Sequence, residues 1–193
     1  MVILSLHVNS FTGDTMADKP FTLIIYTSMS GHTEALARAL ADGARQSRNT
    51  SADLKRARDV TPEDIDKASA LAFGSPTYFS YMSGELKMFF DEFLIRKDKF
   101  KGKPAIAFAT GDGGQLKCIQ SIEDIMEYFE VDMVHRSDII SAGLAIQGVP
   151  DENALKTARN VGTKLAEAGK CLVCREATEK EGVTIGDQKP SMH

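Results

Sequence analysis

The sequence lacks the cysteine pattern, the positive charge and the long apolar segment that mark several classes of protein. It has three cysteines in 193 residues, and an odd number does not make a disulfide framework but suits a reducing cytoplasm. Its net charge of −4 argues against nucleic acid as the main partner. The apolar run at residues 2–8 is far too short to span a bilayer and lacks the basic residues that begin a signal peptide. These absences predict a cytoplasmic protein without a membrane span.

Several ligand-binding motifs are missing as well. The chain contains neither the Gly-x-x-x-x-Gly-Lys-Ser/Thr loop of many nucleotide hydrolases nor, after its first predicted strand, the Gly-x-Gly-x-x-Gly pattern of dinucleotide-binding folds. Cys171 and Cys174 form a single Cys-x-x-Cys pair without a second pair or a flanking histidine. Because four ligands are needed to complete a structural zinc site, the sequence predicts no metal centre.

What the chain does contain is an alternation of apolar runs and helical periodicity from Phe21 onward. The apolar runs predict five strands, at 21–26, 51–60, 70–73, 105–109 and 131–142, the last interrupted around 135–138. Helical spacing of apolar residues predicts helices between the strands and a last helix over 153–168. This alternation favours an α/β fold in which a doubly wound parallel sheet is covered by helices on both faces.

The periodic segments define one domain with an extension at each end. Residues 1–19 precede the first convincing strand, and residues 170–193 are charged, lack periodicity and follow the last predicted helix. We therefore expect a single domain over residues 20–169, an N-terminal extension, and a C-terminal tail that includes both cysteines of the Cys-x-x-Cys pair.

Three loops rich in glycine, serine and threonine follow the first, third and fourth predicted strands, at 27–33, 74–84 and 110–115. Because ligands of open parallel sheets bind at the carboxyl ends of the strands, we expect these loops to form one site. The first loop opens a helix, whose unpaired N–H groups and dipole favour an anion. The alternative interpretation is that a serine or threonine of this loop only caps the helix.

The residue types in these loops favour a ligand with a monophosphate and a flat head group. Ser28, Ser30 and Thr33 can donate hydroxyl hydrogen bonds to an anion, and Gly31 lets the backbone approach it closely. A phospho-accepting receiver domain would need acidic residues at the ends of the first and third strands. This chain has threonine, serine and glycine there instead.

The loops resemble those of a known family. Residues 26–34, Tyr-Thr-Ser-Met-Ser-Gly-His-Thr-Glu, look like the phosphate loop of flavodoxins. Together with residues 73–84, Phe-Gly-Ser-Pro-Thr-Tyr-Phe-Ser-Tyr-Met-Ser-Gly, they are similar to flavodoxin-like NAD(P)H:quinone oxidoreductases of the tryptophan-repressor-binding-protein type. The similarity covers residues 21–169. It implies a flavodoxin-like sheet with strand order 2-1-3-4-5 and FMN as the cofactor.

The resemblance also implies which residues contact FMN. They are Ser28, Met29, Ser30, Gly31, His32 and Thr33 at the phosphate, Ser75, Pro76, Thr77, Tyr78, Phe79 and Ser80 along one side of the isoalloxazine ring, and Thr110, Gly111, Asp112, Gly113 and Gly114 along the other. Tyr78 or Phe79 is expected to offer an aromatic contact. No catalytic side chain is assigned, because the flavin itself carries the redox chemistry.

The function implied by the resemblance is NAD(P)H-dependent, two-electron reduction of a quinone or similar small acceptor by a homo-oligomeric flavoprotein, either a dimer or a tetramer. A flavodoxin-like electron carrier without a small-molecule substrate stays open, because this chain has Ser30 where these reductases usually carry an aromatic residue and has no tryptophan. A domain that has lost FMN and serves as an interaction module is the third alternative.

Overall fold

The computed structural model describes residues 19–134 and 144–180 of the chain. Strands and helices alternate within these ranges, as the sequence predicts. The strands are β1 (Phe21–Tyr26), β2 (Ser51–Arg56), β3 (Ala70–Pro76), β4 (Pro104–Gly111), β5 (Asp132–Met133) and β6 (Ala145–Gln147). The helices are α1 (His32–Gln46), α2 (Pro62–Lys67), α3 (Gly84–Phe93), α4 (Gln115–Tyr128) and α5 (Glu152–Lys180), with short 3₁₀ turns at Ala57–Asp59 and Leu94–Lys99.

The strands form one parallel sheet in the order β2-β1-β3-β4-β5, which confirms the fold and strand order implied by the resemblance. The fifth position of the sheet is occupied by two short strands. β5 pairs with the first residues of β4, and β6 pairs with Ala109–Gly111 at its end. Most of the predicted fifth strand, at residues 135–142, lies outside the described residues.

Side chains of β1 alternate between two separate cores, as expected for a strand covered on both faces. Leu23 and Ile25 pack under α3 and α4, while Ile24 packs under α1 and α5. The α3/α4 side, which we call the phenylalanine face, is filled by buried aromatic rings. They are Phe73, Phe89, Phe90, Phe93, Phe100 and Phe129, with neighbouring ring centres 4.6–6.4 Å apart.

The α1/α5 side, which we call the small-residue face, is rich in alanine and leucine, and it also contains Tyr26 and Phe108. A Cβ atom on Gly43 of α1 would lie 1.8 Å from the Arg159 carbonyl oxygen of α5. A Cβ atom on Gly162 would lie 2.0 Å from the Leu40 carbonyl oxygen. The two helices therefore pack with their backbones almost in contact, which only glycine allows at these positions.

The last helix is longer than the sequence pattern predicts. α5 continues to Lys180, so the predicted end at residue 168 is wrong, and Cys171 and Cys174 lie on a helix instead of in a tail. Glycine often marks a helix end, but Gly169 has a packing role here, since a Cβ atom on it would lie 2.9 Å from the Ala70 Cβ.

The terminal parts of the predicted domain division, residues 1–18 and 181–193, lie outside the described residues. The division into one domain with two extensions therefore stays a prediction.

Candidate functional site at the carboxyl edge of the sheet

The three predicted loops meet at the carboxyl edge of the sheet. The Thr27 N–H donates to the Gly74 carbonyl over 2.9 Å, which joins the first loop to the second. The Thr77 N–H donates to the Thr110 carbonyl over 2.7 Å, which joins the second loop to the third. Parallel register places the ends of β1, β3 and β4 side by side, so the loops that follow them have to converge.

A cleft of about 320 Å³ opens between these loops. Every residue that lines it is one of the predicted FMN contacts, and each loop contributes three. They are Met29, Ser30 and His32, then Pro76, Thr77 and Tyr78, then Thr110, Gly111 and Asp112. The other predicted contacts, Ser28, Gly31, Thr33, Ser75, Phe79, Ser80, Gly113 and Gly114, belong to the same loops but do not line the cleft.

The first loop turns into α1 at Gly31, which has φ +87° and begins the helix without a side-chain cap of its own. The Ser28 hydroxyl instead accepts hydrogen bonds from the N–H groups of Gly31 (3.1 Å) and Glu34 (3.4 Å). Ser28 therefore supports the start of the helix, as the capping interpretation expects. Its hydroxyl hydrogen is not used by these two bonds, so the alternatives of cap and anion donor do not exclude each other.

Thr33 joins the first loop to the third. Its side-chain oxygen lies 2.8 Å from the Thr110 hydroxyl, and both residues are almost fully buried. This pair holds the start of α1 against the end of β4. The direct hydrogen bond from Thr33 to an anion stays a prediction.

The second loop is held by a chain of buried hydroxyls. The Ser75 hydroxyl donates to the Pro76 carbonyl and accepts from the Ser83 N–H, each over 2.8 Å. The Ser83 hydroxyl in turn lies 2.7 Å from that of Thr27 and caps α3 by accepting from the Leu86 N–H. The loop is therefore fixed at both of its ends, and Ser75 is one of the residues that fix it.

The tip of the second loop is a tight hairpin in which Tyr78 and Tyr81 exchange two backbone hydrogen bonds of 2.9 Å. Its two central residues, Phe79 and Ser80, have φ of +52° and +61°, a conformation that hairpin turns usually assign to asparagine and glycine. The Phe79 side chain is fully exposed and lies outside the cleft lining. Of the two aromatic residues predicted to contact the ring, the structure brings Tyr78 to the cleft.

The third loop is supported by residues that sequence reasoning missed. The Gln147 side chain donates to the Asp112 carbonyl over 3.1 Å, and the Gly148 N–H donates to the Gly111 carbonyl over 2.9 Å. Both donors come from β6 or the residue after it. Gly114, at φ +77°, lets the third loop approach the second, since a Cβ atom there would lie 2.3 Å from the Ser80 Oγ.

A positive charge near the first loop was also missed. The Arg56 guanidinium donates to the Ser28 carbonyl over 3.0 Å, pairs with Glu34 at 3.4 Å, and lies 5.6 Å from the centre of the Tyr26 ring. Burial raises the pKa of Tyr26, and the Glu34 carboxylate raises it further. Arg56 ends the edge strand β2, where parallel register pairs it with Tyr26. The parallel register of β1 and β2 was therefore the signal from which the position of Arg56 beside the first loop could have been predicted.

A buried thiol lies under the second loop. Cys118 of α4 has its sulfur 3.9 Å from the Pro76 carbonyl oxygen, and burial raises the pKa of its thiol. The neighbouring Thr77 and Ser75 hydroxyls partly offset that rise. The thiol and these hydroxyls thus form a buried polar group beneath the second loop.

Residues 19–134 and 144–180 contain neither a metal-binding cluster nor a membrane-spanning helix. No group of three or more histidine, cysteine or acidic side chains is placed to hold a metal ion there. None of the helices in those ranges is both long enough and apolar enough to cross a membrane.

Comparison with known proteins matches residues 24–160 to the sequence model of the flavodoxin family. The chain is 33% identical to a flavodoxin of Aquifex aeolicus, over 75% of this chain and 84% of that protein. It is 32% identical to an NAD(P)H dehydrogenase (quinone) of Caulobacter vibrioides, over 75% of this chain and 94% of that protein.

Among solved structures, a flavodoxin described as a WrbA-like protein, from Agrobacterium tumefaciens, has the same fold. It superposes with a TM-score of 0.64 at 22% identity, over 79% of this chain and 98% of that one.

Proposed function

Because this chain belongs to the flavodoxin family, we propose that it binds FMN in the cleft at the carboxyl edge of the sheet and acts as an oxidoreductase. The observation that carries the proposal is that three separate loops meet around one open cleft lined only by predicted FMN contacts. The proposed contacts are the full set that the resemblance implies, at Ser28–Thr33, Ser75–Ser80 and Thr110–Gly114.

We assign the phosphate of FMN to the end of the cleft where α1 begins. Ser28 accepts from the N–H groups of Gly31 and Glu34, and the helix start leaves further N–H groups for an anion. Ser30 and His32 line this end of the cleft. Arg56 contributes positive charge from behind the loop without entering it, and this charge favours a bound anion.

We assign the isoalloxazine ring to the space between the second and third loops. Thr77 lines this space, while its hydroxyl is buried in the wall. Gly111 allows the second and third loops to touch beside this space, since a Cβ atom at this position would lie 2.8 Å from the Thr77 Cβ. The residues present therefore fit a flavin mononucleotide.

Bound FMN supplies hydride and electron transfer. We propose NAD(P)H as the donor and a quinone or similar small molecule as the acceptor, because the Caulobacter vibrioides relative is named for that reaction. The role of the protein's own residues is to admit the acceptor to the cleft, beside the flavin. Met29 and Tyr78 are 87% and 39% exposed at the cleft, which gives an open and partly apolar entrance. The exposed Asp112 carboxylate at the cleft would repel anionic acceptors.

A second candidate is a flavodoxin-like electron carrier. It is favoured by the Aquifex aeolicus relative, which is named a flavodoxin. A carrier exchanges single electrons with protein partners and needs no small-molecule substrate. The two candidates share the FMN site and differ only in the donor and the acceptor.

We also propose that the protein works in the cytoplasm as a homo-oligomer. The apolar side chains of Met29, Tyr78, Phe79 and Tyr81 are exposed around the cleft, and a second subunit would cover them. Light scattering of the FMN-loaded protein tests this proposal, and a strict monomer would contradict it.

Anaerobic titration of the FMN-loaded protein distinguishes the two candidates. For the reductase, NADH or NADPH bleaches the flavin absorption, and an added quinone restores it. Reduction by dithionite alone, with accumulation of a one-electron-reduced form, would contradict the reductase and support the carrier. Failure of the protein to take up FMN would contradict both.

A pair of glycines provides a matched test of the cleft. Gly31 and Gly102 both have positive φ, and both have open space where a Cβ atom would lie, but only Gly31 is next to the cleft. We expect Gly31→Ala and Gly102→Ala to lower the free energy of unfolding by similar amounts, about 1 kcal/mol. Gly31→Ala should also raise the Kd for FMN about tenfold, because it shifts the phosphate loop. Equal Kd values in the two variants would contradict the assignment.

A further inference from the structure

The extension of α5 carries two thiols that play no part in the cleft. Cys171 and Cys174 are both exposed, one helical turn apart, whereas Cys118 is buried. We propose that Cys171 and Cys174 form a redox-active dithiol that hydrogen peroxide converts to a reversible intrahelical disulfide, with Cys171 as the attacking thiol.

A guanidinium group distinguishes the two exposed cysteines. The Arg175 Nη2 lies 3.5 Å from the Cys171 sulfur, one turn along the same helix. Reactive cysteines are typically exposed and lie beside a positive charge. Cys174 has no comparable cation contact among the described residues. Cys171 is therefore the thiol prepared to react first.

The spacing of the pair allows a bond but strains it. Residues three apart on an α-helix have Cα atoms about 5 Å apart, within the range seen in disulfides. Their Cβ atoms are about 5 to 6 Å apart, farther than a relaxed disulfide allows. Closing the bond therefore distorts the end of α5, and strained, exposed disulfides are the ones most easily reduced.

The reaction balances in two steps. The Cys171 thiolate attacks one oxygen of hydrogen peroxide and breaks the O–O bond, and the hydroxide released takes a proton to form water, leaving a sulfenic acid on Cys171. The Cys174 thiol then attacks the sulfenic sulfur, its proton joins the departing hydroxide, and a second water leaves. Two thiols and one peroxide thus give one disulfide and two waters.

The dithiol and the cleft lie toward opposite edges of the sheet. Gly169 packs against Ala70, the first residue of β3, so α5 has reached the amino edge of the sheet before Cys171 begins the extension. The cleft is at the opposite, carboxyl edge. Oxidation of the pair and occupancy of the cleft can therefore be measured independently, and failure of one proposal does not affect the other.

The test is thiol counting on the full-length protein. The protein is treated with a small excess of hydrogen peroxide, quenched, and alkylated with N-ethylmaleimide in denaturant. We expect the oxidised protein, before alkylation, to be about 2 Da lighter than the untreated protein. Only Cys118 should then be alkylated, and reduction should make all three thiols available to N-ethylmaleimide again. Alkylation of all three thiols without reduction, or disulfides only between chains, would overturn the proposal.

Variants test the order of attack. In Cys174→Ser, Cys171 should stop at the sulfenic acid and be trapped by dimedone, whereas Cys171→Ser should give little adduct. Arg175→Gln should slow alkylation of Cys171 about threefold at neutral pH, because the positive charge that contacts the sulfur is removed. Lys164→Gln, which removes an exposed charge from the same helix, is the matched control and should leave the rate unchanged. If Cys171 were alkylated at the same rate in Arg175→Gln, Lys164→Gln and the parent protein, the role of Arg175 would be overturned.

Discussion

The two faces of the sheet are packed in opposite ways. On the phenylalanine face, aromatic rings pack between α3 and the sheet, and Phe90, for example, has ring neighbours at 5.1, 5.4 and 5.7 Å. On the small-residue face, α1 and α5 touch through their backbones at Gly43 and Gly162. The packing of α3 therefore depends on large side chains, whereas the contact between α1 and α5 depends on two positions that have no side chain.

This difference matters for the cleft because its walls rest on different faces. The first loop leads into α1, which belongs to the small-residue face. The second and third loops lead into α3 and α4, which belong to the phenylalanine face. Changes on the small-residue face should therefore act first on the proposed phosphate end, and changes on the phenylalanine face on the proposed ring walls.

The largest expected effect is removal of a ring from the phenylalanine face. Phe90 is 2% exposed, so Phe90→Ala removes a large buried side chain and leaves a cavity. We expect the free energy of unfolding, measured by urea denaturation, to fall by about 4 kcal/mol. Phe79→Ala is the control, because that ring is fully exposed and its loss should change stability by less than about 0.5 kcal/mol. If Phe90→Ala and Phe79→Ala lowered the free energy of unfolding by similar amounts, the buried rings would not be what stabilises the phenylalanine face.

A smaller loss is expected from adding a methyl group to the small-residue face. In Gly43→Ala the new Cβ would overlap the Arg159 carbonyl oxygen, so α1 and α5 have to move apart. We expect the free energy of unfolding to fall by about 2 to 3 kcal/mol and FMN affinity to fall with it. Gly84→Ala makes the same change in α3, where nothing lies within 4 Å, and should be neutral or slightly stabilising. If Gly43→Ala were equally neutral, the close helix contact would not be rigid.

The smallest effect concerns a charge at the border of the phenylalanine face. The Lys103 ammonium donates to the Ile65 carbonyl at the end of α2, and burial lowers the pKa of Lys103 to about 8. The unfolded chain keeps this proton up to a pH of about 10.4. Between these values the unfolded state binds more protons, so stability rises with pH.

Lys103→Met should therefore be more stable than the parent protein at pH 7, by about 1 to 2 kcal/mol, since the buried charge costs more than the lost hydrogen bond returns. The gap should shrink as the pH is raised from 8 to about 10. Urea unfolding of both proteins at pH 7 and pH 9.5 measures this difference in the free energy of unfolding. A gap that widens with pH would show that the ammonium is stabilising.

Much of the site could be predicted because it depends on local chemistry. A strand that ends in a loop of serine, threonine and glycine can be read from adjacent residues, and topology then brings three such loops together. The resemblance supplied the strand order. The support beneath the loops could not be predicted in the same way, because Thr33 meets Thr110 and Gln147 meets Asp112 across long stretches of chain.

By itself, the sequence determined the alternation of strands and helices and the positions of the three loops, since both follow from short-range patterns of apolar and turn-forming residues. Only the tertiary structure decided which hydroxyls serve the fold and which face the cleft, because that depends on what lies opposite each side chain. It also decided that α5 continues past Gly169. A glycine that would end an isolated helix is needed here for close contact with β3, and the residues beyond it extend the helix.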